Sequence, residues 1–174
     1  MDTKKLTYGG IFIALGVLLP IAFHWVGLGR TFLPMHIPIL LAGFIAGPLT
    51  AAVVGVITPL LSSVLTGMPP LAPTGLMMAV ELPIYGWLAG AAYQRYSLGK
   101  IPSLVIAILA GRLVYGFLMW LALPLFGLEA IHPLYPIGAG LIGSLPGIIL
   151  QLILVPATVG LLEHGSALSI AKES

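Results

Sequence analysis

Two ionisable side chains stand inside apolar stretches of this chain: Glu81 in LMMAVELPIYGW and Arg112 in LAGRLVYG. Left facing lipid at the bilayer centre, each would cost about 3 kcal/mol, so such residues turn inward, where they pair or hold a polar ligand. Helical spacing surrounds both with the same kind of surface. Thr74, Met77, Met78, Glu81 and Tyr85 share one helix face, and Ile108, Arg112, Tyr115 and Met119 share another. Thioethers and aromatics with a few orienting polar groups are the make-up of a small-molecule pocket. Counted from their segment ends, Glu81 lies about 10 Å below the outer boundary and Arg112 about 15 Å above the inner one. Their levels then differ by roughly 5 Å, which two long side chains can bridge. The pair reads either as an ion pair joining two helices or as a ligand-holding site.

Other side chains extend this set. Ser144, Gly147 and Gln151 align at i, i+3 and i+7, and the Gln151 amide has two donors and an acceptor to satisfy. Thr58, Ser62 and Thr66 align at i, i+4 and i+8; their hydroxyls are expected to bond back to their own helix. His36 stands where a loop enters the membrane, either contacting ligand or resting at the interface. Trp25 lies beside the same loop and would cover a pocket or, like Trp87 and Trp120, anchor at the interface. His24, His132 and His164 are scattered and show no metal-ligand spacing. Cysteine is absent, which excludes disulfides and thiolate chemistry. Leu98-Gly99-Lys100 lacks the first glycine and the Ser/Thr of a P-loop, and neither HExxH nor GxSxG occurs. Enzymatic chemistry would have to rest on Glu81 with a histidine, so none is expected. No cofactor is expected in the chain.

The elements that would position these residues are membrane helices. Hydrophobic residues make up 59% of the 174 and charged ones 7%, against roughly 25% charged in soluble domains. A net charge of +2 gives no nucleic-acid patch. Breaks at Gly, Pro and charged residues leave six apolar segments, at about 6–26, 37–46, 49–66, 73–93, 102–124 and 136–162. Lys4 and Lys5 precede an apolar run without a convincing small-x-small cleavage site, so the first segment reads as a retained helix. Pro34 and Pro38 confine the second helix to about 37–46, roughly 15 Å long, half of a hydrocarbon core. The residues before it, Gly29 to His36, must dip below the outer surface, making a recess. Lys4, Lys5, Arg95, Lys100 and Lys172 fall on one side and Arg30 on the other, which places both termini in the cytoplasm. The expectation is an all-α integral membrane protein, one domain of six transmembrane helices with a short second helix. A small-residue stripe, Gly10-x-x-x-Ala14, would let a second helix approach α-carbon to α-carbon, inside the bundle or on another membrane protein.

Ile37-Pro38-Ile39-Leu40-Leu41-Ala42-Gly43-Phe44-Ile45-Ala46-Gly47-Pro48, then an apolar helix ending Leu65-Thr66-Gly67-Met68-Pro69-Pro70, resembles the substrate-binding S components of energy-coupling factor (ECF) transporters. The resemblance covers nearly the whole chain. The Gly10 to Ala14 stripe stands where that family has Ala-x-x-x-Ala, with Gly10 replacing the first alanine. The resemblance implies a multi-pass protein of a prokaryotic cell membrane that binds a vitamin or related micronutrient from outside with high affinity. It implies docking through the first helix, at Gly10 and Ala14, onto a membrane scaffold subunit carrying two ATPases, which use the ATP. The subunit would then topple so that the pocket opens inward. Niacin, pyridoxine-like compounds, pantothenate, a queuine-type base and a corrinoid precursor all stay open as ligands. A self-sufficient small-solute transporter or channel is the alternative, and a membrane-embedded enzyme built on Glu81 and His36 a further one.

Overall fold

Periodic apolar runs broken by Gly and Pro dictate helices, and helices are what the computed structural model contains. It describes residues 3–25, 27, 32–129, 132, 134–135 and 139–164, with the side chains of 139–141 excepted. Arg30 and Lys172, both used above to orient the chain, lie outside the described residues, as do Gly29 and most of its loop. Among the described residues, six longer α-helices run α1 Thr3–Trp25, α2 His36–Ala46, α3 Pro48–Thr66, α4 Leu76–Gly90, α5 Lys100–Ala122 and α6 Ala139–His164. Wider π turns bracket α4 at Leu71–Gly75 and Ala91–Arg95, and a 3₁₀ turn, Leu123–Phe126, extends α5. Five of these helical runs are long and apolar enough to cross a membrane, and His36–Ala46 is the shorter apolar helix among the described residues.

All eleven residues of α2 are buried, so the short helix is the axis of the bundle and the others surround it. Its closeness to α4 comes from glycines. A Cβ on Gly43 would run into the Gly86 carbonyl oxygen, and one on Gly90 would lie 2.7 Å from the Gly43 oxygen. Gly86-x-x-x-Gly90 therefore lets two backbones touch, which is how membrane helices gain packing without a hydrophobic driving force. Gly47 ends α2 at φ 93, ψ 166, a region open to glycine alone. Pro48 then starts α3 at a position where its missing N–H costs nothing. The Gln94 side chain donates to the Phe44 carbonyl at 2.9 Å, satisfying one of the orphan acceptors at the α2 C-terminus.

α1 runs alongside α3, with Gly9 against Thr50 and Gly16 against Thr58. This register places Lys4 and Lys5 at the same end of the bundle as Pro48, Gln94, Arg95 and Lys100. At that basic end the Tyr93 hydroxyl donates to Glu163, whose other oxygen pairs with Lys100. One carboxylate thus ties α6 to α5 and to the tail of α4. Outward, the helices expose Leu49, Val64, Ile153 and Leu161; inward they bury His36, Glu81, Arg112 and Gln151. Polar inside and apolar outside is the arrangement that lipid demands.

Candidate functional site

α4 and α5 turn the two predicted faces toward each other. Met77, Glu81, Tyr85, Ile108 and Arg112 are buried, and Met78 and Tyr115 are half-buried. Tyr85 is positioned by an absence: its ring lies flat against Gly111, where a Cβ would overlap the ring carbons. The ring also meets the His36 imidazole in a T-shaped contact, centroids 4.9 Å apart. The Tyr85 hydroxyl faces the Glu81 carboxylate, one turn back on the same helix. Glu81 and Arg112 both act electrostatically on the Tyr85 and Tyr115 hydroxyls, so the four polar groups share one compartment.

Of the two readings of Glu81 and Arg112, the geometry does not show the ion pair: the two make no salt bridge with each other. Among the described residues, the basic side chain nearest the Glu81 carboxylate is that of His36, Nε2 to Oε1 at 3.7 Å. His36 is no interfacial residue: it is buried on the first turn of α2, because the short helix begins at mid-depth and carries its N-terminus into the bundle. Arg112 is left with Nε and Nη2 buried and without a hydrogen-bond partner, as are His36 Nδ1 and Gln151 Nε2. Buried polar atoms are normally satisfied, and these four come from three different helices; Ser103 Oγ, near the basic end of α5, is also buried without a partner.

Their depths agree. Tyr93, Lys100 and Glu163 meet at the basic end; Glu81, Arg112 and Gln151 each lie twelve residues from one of them along their helices. At 1.5 Å per residue all three sit about 18 Å above that cluster, in one layer. Gln151 is 1% exposed and faces inward with Ile148 and Val155.

The hydroxyls do not belong to this layer. Thr58 bonds the Val54 carbonyl, Thr66 the Ser62 carbonyl, and Ser62 and Ser63 the Met68 and Pro69 carbonyls. Thr58 and Thr66 thus bond back to their own helix as expected, whereas Ser62 and Ser63 fasten the loop between α3 and α4. Trp25 is 87% exposed at the end of α1, away from the cluster; most of the loop after it lies outside the described residues. Trp87 and Trp120 are about half exposed on the outer surface. Gly10 and Ala14 are exposed, and a side chain at Gly10 would meet nothing within 4 Å. Gly9 and Gly16 do the internal packing, so the stripe has two sides. The residue that sequence reasoning passed over is Gly111; its only signal was a glycine beside an arginine in a helix with no turn there.

The layer gathers buried donors and one carboxylate. The chain matches the family "ECF transporter, substrate-specific component" over residues 4–159. It belongs to that family. No curated protein matches the chain. Membership makes it a multi-pass membrane component that binds a transported substrate, and a transporter subunit rather than an enzyme. The proximity of Glu81 and His36, which the enzymatic alternative needed, therefore lies in a transporter subunit. Such a component works with an ECF scaffold and ATPases.

Proposed function

We propose that this S component binds a vitamin-sized micronutrient in the layer formed by His36, Glu81, Arg112 and Gln151, with Tyr85, Tyr115 and Met78 as its walls. Uptake is driven by two partner ATPases, which use the ATP, through a membrane scaffold in a prokaryotic cell membrane. One observation carries this reading: Arg112 Nε and Nη2 on α5 and Gln151 Nε2 on α6 are buried without partners at one depth along their helices, a state that a bound solute relieves. The basic end, with Lys4, Lys5, Arg95 and Lys100, faces the cytoplasm by the charge bias of membrane loops. The open face of α1 at Gly10 and Ala14 is the surface on which the scaffold docks, since the lack of side-chain bulk there lets a foreign helix come close.

The test is native mass spectrometry of the chain purified gently from its own host. The expected spectrum shows a retained small molecule, and an assembly with a scaffold and two ATPase subunits. A chain that carries no solute and no partner contradicts the proposal and favours a self-sufficient transporter.

A further inference from the structure

The two unpartnered nitrogens of Arg112 are not an arbitrary pair. Nε and Nη2 form one side edge of the guanidinium, and their N–H bonds point the same way, spaced to meet the two oxygens of a carboxylate. Both are buried without a partner, while Arg112 as a whole is 8% exposed. A guanidinium held away from water without an acceptor is costly to keep. Glu81 does not serve it, since its contacts run to His36 and Tyr85. Gln151 Nε2, another buried donor lacking an acceptor, lies at the same depth. α2 begins in this layer with no side-chain cap on its N-terminus, leaving the positive end of its dipole toward the site.

Resting on the reading above that this layer holds the transported solute, we infer that the solute is a monocarboxylic acid. Its carboxylate sits side-on upon the Nε–Nη2 edge of Arg112, with Gln151 Nε2 as a third donor. The shape of the fork favours one planar anionic group: its two parallel N–H bonds meet the two oxygens of a single carboxylate, and a phosphate dianion would bring twice the negative charge into a buried site that already holds Glu81. Glu81 and His36, in contact with each other and with Tyr85, read a second polar group of the solute.

The experiment uses the full chain in mild detergent. The retained solute is extracted and identified, and calorimetry measures binding of that solute and of its primary amide to wild type, Arg112→Lys, Arg112→Gln and Gln151→Leu. The expected solute carries one carboxylate, and its amide binds wild type about 100-fold more weakly or worse. Arg112→Gln weakens the acid by a similar factor and abolishes the discrimination between acid and amide; Arg112→Lys keeps part of it. Should Arg112→Gln prove unfolded, the acid and amide comparison on wild type still decides. A neutral or cationic solute, or equal binding of acid and amide, overturns the inference. So does a chain that retains nothing and is not thermally stabilised by any member of a monocarboxylate panel including nicotinate and pantothenate. Failure of the transport reading would look different: solute flux into liposomes by the chain alone, whatever the charge of the solute.

Discussion

Tyr85 is fixed between Gly111 and His36, so the smallest change that tests the site's construction is Gly111→Ala. The added methyl displaces the ring of a fully buried tyrosine, and overpacking of this kind costs about 1–3 kcal/mol. A lowered melting temperature together with weakened solute binding is expected. Glu81→Gln removes the charge opposite His36 and is expected to weaken binding about tenfold or more, while the melting temperature falls little. Unchanged binding with a large loss of stability would instead make Glu81 a purely structural partner of His36. Glu81 and Arg112 were legible in the sequence because a charge inside an apolar run has few explanations. Their pairing was not. Depth along a helix follows from counting residues, but which neighbour a side chain meets depends on helix rotation and on where α2 starts, and α2 brought His36 to Glu81 first.

Among the elements, α1 shows best how one helix serves two surfaces. Gly9 and Gly16 face Thr50 and Thr58 of α3, while Gly10 and Ala14 face outward. Gly10→Leu or Ala14→Leu is therefore expected to leave solute affinity and melting temperature unchanged and to abolish uptake. Gly16→Leu, whose first carbon would already lie 2.5 Å from Thr58 Cγ2, is expected to lower the melting temperature. Normal transport by the bulky Gly10 and Ala14 variants would show that this face docks nothing. The short second helix was legible from Pro34 and Pro38, which fix backbone geometry locally. The seam through Gly86 and Gly90 was not recognised, since small-x-x-x-small spacing signals a close approach without naming the neighbour, and α1 carries the same signal.

At the scale of the whole molecule, about 18 Å of α2 and its packed surroundings separate the polar layer from the basic end. Releasing solute in that direction requires either that the bundle open or that the subunit reorient as a body. Tyr93, Glu163 and Lys100 hold α4, α5 and α6 together at that end. The chain has no cysteine, so Lys100→Cys with Glu163→Cys can be joined by a short thiol cross-linker. Uptake surviving the cross-link is expected for reorientation as a body; loss of uptake with binding retained would mean that the helices part there. The chain's dependence on partners is tested most directly by flux. Liposomes holding the purified chain, with or without its scaffold and ATPases, are given the labelled solute recovered from the chain itself. Accumulation only with the full assembly and ATP is expected, with binding alone when the partners are left out. Accumulation by the chain without them would contradict the account.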